Sequence, residues 1–203
     1  MQEQEKIFKI VAIGESSVGK TSLIRRYIYN HFSDEESATI GAVFVEKSLI
    51  VDKKRVRLQI WDTAGQEKFH AVAKIYYQKA DAALLVYDIT SADSFSTLQN
   101  WNEEVKVNTS KDILRVIVGT KLDLIEEEQV HPKTASDYAR EAKALFHQTS
   151  AKANRGINEL FEHVCLELIK RENSKPEPLT NLSAKSSVLL GEPPAPKKSS
   201  CDC

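Results

Sequence analysis

Two periodicities alternate along the chain. Lys6–Ile13 and Val43–Val51 are apolar, β-branched runs and predict strands. Asp52-Lys53-Lys54 reads as a hairpin turn into a further strand over Arg55–Trp61. Ala82–Tyr87 and Leu114–Val118 are short continuous apolar runs, the pattern of strands covered on both faces, and Leu145–Gln148 is a weak last strand. Between them the spacing predicts helices over Lys20–Tyr29, Ser91–Asn108, Pro132–Ala144 and Gly156–Arg171. The last sets Ile157, Leu160, Phe161, Val164, Cys165, Leu168 and Ile169 on one stripe, so Cys165 reads first as core and second as a reactive thiol. Strand–helix alternation with one early hairpin predicts an α/β fold: a mostly parallel sheet of about six strands, one antiparallel hairpin strand, and helices on both faces. Ligands of such sheets sit beyond the carboxyl ends of the strands. The chemistry is therefore sought in the loops that follow strands.

The periodic part ends near Arg171. From Asn173 the chain is rich in Ser, Pro and Lys, and five of the six prolines lie beyond residue 175. A folded domain over residues 1–172 and a disordered tail over 173–203 are expected. With 28 basic and 29 acidic residues the net charge is −1, which gives no reason to expect nucleic-acid binding. No run of 18 apolar residues is present, and the first five residues, Met-Gln-Glu-Gln-Glu, do not resemble a signal peptide. A cytosolic setting is expected, in which the three cysteines are thiols.

Gly14 to Thr21 read Gly-Glu-Ser-Ser-Val-Gly-Lys-Thr, between the first strand and the first helix. That spacing in that context is a phosphate-binding P-loop. Its glycines let the backbone curl so that N–H groups converge on an anion at the positive end of the helix. The expected phosphate-contacting set is Ser16, Ser17, Val18, Gly19, Lys20, Thr21 and Ser22. Lys20 reaches the β- and γ-phosphates and Thr21 is a Mg²⁺ ligand.

The loops after the other strands complete a constellation. Asp62-Thr63-Ala64-Gly65-Gln66 follows the third strand. Asp62 is expected in the Mg²⁺ shell, Gly65 to offer an N–H to the γ-phosphate, and Gln66 to orient the attacking water. Thr120-Lys121-Leu122-Asp123 follows the fifth strand. The Asp123 carboxylate matches the paired N1–H and amino donors of guanine, which adenine lacks, and the Lys121 stem suits the face of the base. Ser150-Ala151-Lys152 follows the weak last strand, with the Ala151 N–H facing the guanine carbonyl. Thr39 lies in the polar connection Ser33–Ile40 and suits the Mg²⁺ shell when a γ-phosphate is present. Phe32 has two readings: a core anchor of the first helix, or a ring set edge-on to the base. Asp34, Glu35 and Glu36 also have two: a solvated loop, or a face for basic partners.

These residues resemble the Ras-like small GTPases, and the Rab family within them. Asp62 to Glu67, Tyr87-Asp88-Ile89-Thr90 and the terminal Cys201-Asp202-Cys203 carry the match, which covers residues 6 to 172. Thr39 to Phe44, Phe69-His70 and Tyr76-Tyr77 look most like the early-endosomal Rabs. The resemblance implies a GTP/GDP switch that hydrolyses GTP, with Gln66 and Lys20 catalytic, Mg²⁺ as cofactor, and two segments, about 33–41 and 65–77, ordered by the γ-phosphate. It implies an exchange factor, a GAP, a GDP-dissociation inhibitor, an escort protein and effectors as partners in vesicular traffic. Phe44, Trp61 and Tyr76 match the aromatic trio that Rab effectors read, and have a second reading as hairpin and core packing. Two departures stand out: Thr120 occupies the position of the family's usual Asn, as in the Rho branch, and Ser16 stands where Ras has glycine. A metabolic kinase would need an arginine-rich lid that the short loops do not offer, and a non-hydrolysing GTP-dependent scaffold is at odds with Gln66.

The tail follows the same resemblance, which implies geranylgeranyl groups on Cys201 and Cys203. One lipid chain gives only marginal binding, and a second signal is needed. Residues 173–203 carry four lysines against three acids, too little charge to be that signal, so the second lipid is expected to supply it. The expected location is the cytoplasmic face of intracellular, endosomal membranes. Val188-Leu189-Leu190 reads either as a docking spot for the escort protein or as a chance triplet.

Overall fold

The computed structural model describes residues 5–65, 75–109 and 112–174. In chain order the elements are β1 (Lys6–Ile13), α1 (Lys20–Tyr29), β2 (Ala42–Val51), β3 (Lys54–Thr63), β4 (Ala82–Asp88), α2 (Ala92–Asn108), β5 (Leu114–Thr120), a 3₁₀ segment (Leu122–Glu127), α3 (Pro132–Glu141), β6 (Leu145–Gln148) and α4 (Ile157–Asn173). The six strands form one sheet in the order β2-β3-β1-β4-β5-β6. β2 and β3 pair antiparallel and every other neighbour pairs parallel, as the strand–helix alternation predicts.

Side-chain alternation splits the core into two layers. Phe8, Ile10 and Ala12 of β1, with Val56, Leu58 and Ile60 of β3, face α1 and α4. Val11 and Ile13, with Leu85 and Tyr87 of β4, face α2 and α3. β4, apolar along nearly its whole length, is buried throughout. Tyr27 of α1 and Phe161 of α4 stack with ring centres 3.8 Å apart, which joins the two helices of the first layer. Cys165 lies fully buried in that layer, and burial pushes its thiol up to about 12, so it is a core residue and not a reactive one.

Several boundaries differ from the periodicity for local reasons. The hairpin closes on a two-residue turn, Asp52-Lys53, both left-handed (φ 47° and 62°), the conformation that matches strand twist, here built without glycine. Ser91 is the cap of α2 rather than its first residue: its hydroxyl accepts from the Ser94 N–H at 3.2 Å. α3 stops at Glu141 because Lys143 turns left-handed (φ 53°), short of the expected Ala144. α4 runs two residues past Arg171, and Lys6 at the start of β1 pairs with its Glu172 at 2.6 Å. The 3₁₀ segment after β5 carries no apolar stripe, and periodicity does not reveal it. Of the expected tail, only Asn173 and Ser174 are among the described residues.

Candidate nucleotide site

The loops after β1 and β6 and the carboxyl ends of β3 and β5 open onto one cavity of about 460 Å³. At one end the loop from β1 curls into α1. Ser17 and Gly19 are both left-handed (φ 62° and 92°), and alternation of this kind turns successive N–H groups to one side. Gly19 caps α1, where a β-carbon would force this φ on an unwilling residue. The Val18 side chain points away into the core, so Val18 offers only backbone to the site. Ser16, Ser17, Thr21 and Ser22 line the cavity. Lys20, 5% exposed, holds the carbonyls of Gly14 at 2.9 Å and Glu15 at 2.6 Å. Burial lowers its pKa to about 8, against the pull of Asp62 and Glu15.

Beside Lys20 three hard oxygens meet. The Thr21 hydroxyl lies 2.7 Å from Asp62 Oδ2 and 2.7 Å from the Thr39 hydroxyl. Asp62 is 3% exposed, and its other oxygen, Oδ1, is buried with no hydrogen-bond partner. Burial raises the Asp62 carboxyl above its ordinary range, although Thr21 and Lys20 pull it down. An orphaned carboxylate oxygen with two hydroxyls beside it is a donor set that a divalent magnesium ion fits. Gly65 closes this corner. A β-carbon there would lie 2.3 Å from the Glu15 backbone carbon and oxygen, so only glycine permits this approach to the phosphate loop. Ala64 N–H bonds the Gly41 carbonyl at 2.8 Å, which ties the segment after β3 to the one before β2.

The far end is built by β5 and the loop after β6. Asp123 Oδ1 accepts from the Ser150 hydroxyl at 2.5 Å, and Ser150 in turn accepts from the Ala153 N–H. Ser150 is fully buried behind Asp123 and aims it, while Ala151 and Lys152 line the cavity. The Thr120 hydroxyl lies 2.5 Å from the Val18 carbonyl and 2.9 Å from that of Tyr87. It carries one proton for two acceptors. The link from this strand to the phosphate loop is therefore kept without an amide. Lys121 lines the cavity with its ammonium 2.6 Å from Asp88 Oδ2, a contact that motif reading does not find because Asp88 lies 33 positions earlier. Phe32 lines the cavity and is absent from both core layers.

The rim is closed by charge. Asp34 pairs with Lys152 at 3.2 Å across the mouth, and Glu36 pairs with Arg25 of α1 at 3.0 Å. Two of the three acids are thus held within the chain, and neither expectation for them describes the structure alone. Outside the rim, Trp61 lies 5.1 Å from Phe44 and 5.1 Å from Tyr76, ring centre to ring centre. Phe44 of this trio is exposed, so the three rings present an aromatic surface on one flank of β2 and β3. Gln66, Glu67, Phe69, His70, the Val188 triplet, Cys201 and Cys203 lie outside the described residues.

The Ras family matches residues 9–170. The chain is 47% identical to Ras-related protein Rab-21 of human and of dog over 163 residues, 80% of this chain and 72% and 73% of theirs. It is 41% identical to Ras-related protein Rab-5A of Dictyostelium discoideum over 178 residues, 87% of this chain and 89% of that one. A match of this extent shows that the chain belongs to the Ras family of small GTPases, among its Rab members.

Proposed function

We propose that the cavity holds GTP or GDP with Mg²⁺, and that the chain is a slow GTPase whose two states are read by effectors at endosomal membranes. The observation that carries this reading is the orphaned Asp62 Oδ1 beside the Thr21 and Thr39 hydroxyls, which line the same cavity as Asp123. Thr39 belongs to the segment before β2, so the same contact that completes the cation site also orders that segment. This is the physical content of a switch: loss of the γ-phosphate removes what Thr39 and Gly65 are gathered around.

Thr21, Thr39 and Asp62 would hold the Mg²⁺, which would supply positive charge beside the phosphate oxygens. Lys20 adds a second positive charge, and the backbone amides of Ser16 to Thr21 cradle the phosphates. Gly65 donates an N–H to the γ-phosphate and Gln66 orients the attacking water for in-line displacement. Ser16 to Ser22, Phe32, Thr120, Lys121, Asp123, Ser150, Ala151 and Lys152 make up the rest of the nucleotide site. No arginine lines the cavity among the described residues, which supports slow turnover until a GAP supplies one.

The output is binding. The Phe44–Trp61–Tyr76 face, bounded by the two nucleotide-ordered segments, suits GTP-dependent effectors. An exchange factor, a GDP-dissociation inhibitor and an escort protein complete the cycle. No helix among the described residues is long and apolar enough to cross a membrane. Geranylgeranyl groups on Cys201 and Cys203 would provide attachment, with the tail as tether.

Competition binding tests base choice. Unlabelled GDP and GTP should displace labelled GDP, and ADP should not. Asp123→Asn should move preference toward xanthine, which carries an oxygen where guanine has its amine. Equal displacement by GDP and ADP would remove Asp123 from this role.

A further inference from the structure

The wall of the base end is a strained lysine with both ends fixed. Lys121 is left-handed (φ 61°), a conformation that β-bearing residues seldom adopt. Its backbone is held from both sides: the next residue's N–H bonds the Thr149 carbonyl at 3.0 Å, and the Lys121 carbonyl accepts from the Leu124 N–H at 2.8 Å. The other end of the side chain, the ammonium, sits 2.6 Å from Asp88 Oδ2. Asp88 is the last residue of β4 and 7% exposed. Its second oxygen, Oδ1, accepts from the Thr90 N–H at 2.9 Å and from the Thr90 hydroxyl at 2.8 Å. The carboxylate therefore has a donor on each oxygen and cannot swing, while it stays outside the cavity that Lys121 lines.

We propose that Asp88 is a positioning residue for nucleotide retention: by fixing the Lys121 ammonium it holds the four-carbon stem as a preformed wall against the base. The inference rests on the nucleotide reading above. A free lysine is among the side chains that lose most rotamer freedom when a ligand immobilises them. A stem already stretched between two fixed points loses little, and preorganisation of this kind appears as slower ligand release. Asp88 does not line the cavity, and Asp123 and the Ala151 N–H are the groups placed to read the base edge, so Asp88 affects retention and not base choice. Thr90 acts one step further out, as the group that locks Asp88.

A double-mutant cycle on GDP release tests this. Labelled GDP dissociation is followed from the full chain in Mg²⁺ for the wild type, Asp88→Asn, Lys121→Met and the double variant. Methionine keeps a stem of similar length without the ammonium. Asp88→Asn should release GDP about three- to tenfold faster than wild type, and the double variant no faster than Lys121→Met alone. The ratio of GDP to IDP affinity should be the same in Asp88→Asn as in wild type, because IDP lacks only the amino group that Asp123 reads. Thr90→Val, nearly isosteric, should release GDP about twofold faster and tests the same carboxylate if Asp88→Asn does not fold. Multiplicative effects of the two changes would show that Asp88 supports the end of β4 and not Lys121, and would overturn the inference. So would unchanged release in both Asp88→Asn and Thr90→Val. A wild type that retains no GDP would instead overturn the nucleotide reading itself.

Discussion

Lys20 carries the site's most telling pKa. In the free protein burial holds it near 8, while an unfolded lysine titrates near 10.5. Between those values the unfolded chain binds more protons than the folded one, so the free protein gains stability as pH rises through that window. Nucleotide binding has the opposite sign. Phosphate charge beside the ammonium restores the protonated form, so binding above pH 8 takes up a proton. GDP affinity should be flat from pH 6.5 to 7.5 and then fall, with a slope approaching tenfold per unit toward pH 9. Calorimetry at pH 8.5 in two buffers of different ionisation enthalpy should report the proton uptake. A flat affinity profile with no uptake would mean that Lys20 stays charged without its ligand.

Whole elements set the distances that single residues exploit. Strand ends bring Gly14, Asp62, Asp88 and Thr120 to one edge of the sheet, and the segment after β3 is pressed on the phosphate loop so closely that Gly65 has no room for a side chain. Gly65→Ala should push that segment back by roughly the width of a methyl group. GDP binding should survive, while the preference for GTP and the hydrolysis rate should each fall about tenfold or more. Parallel measurement of GTP and GDP affinities checks this, and an unchanged ratio would show that Gly65 lies away from the γ-phosphate. The elements and the phosphate loop were legible in the sequence because both depend on local spacing: period-two runs, helical stripes, and eight consecutive residues at a turn. What stayed hidden depends on residues far apart in the chain. Ser150 aims Asp123 across 27 positions, Asp88 holds Lys121 across 33, and Lys152 reaches Asp34 across 118. Composition cannot report such pairs. The two fates of Glu36 and Glu35, one ion-paired and one exposed, likewise follow from where α1 places Arg25.

At the scale of the molecule the sheet separates two tasks. The carboxyl ends of its parallel strands face the nucleotide, and α4 ends beside the start of β1, on the opposite edge, where Lys6 pairs with Glu172. A tether proposed for the residues after Ser174 would therefore begin at the edge of the sheet opposite the cavity. About thirty residues at ~3.1 Å each span up to roughly 90 Å in an extended Pro-rich chain. Single Cys→Ser changes at 201 or 203 should leave weak membrane association, and the double change should leave the protein in the soluble fraction. Firm pelleting of the double variant with membranes, without a partner, would contradict attachment by two lipids.

The central claim is that the chain hydrolyses GTP slowly, with Gln66 orienting the attacking water. Single-turnover hydrolysis by the purified full chain, preloaded with GTP or offered ATP, is the most direct test. GTP should be cleaved at about 10⁻⁴ to 10⁻² s⁻¹ without a GAP and ATP not at all, and Gln66→Leu should bind GTP normally and cleave it more slowly still. Cleavage of ATP at a comparable rate, or an unchanged GTP rate in Gln66→Leu, would contradict the account.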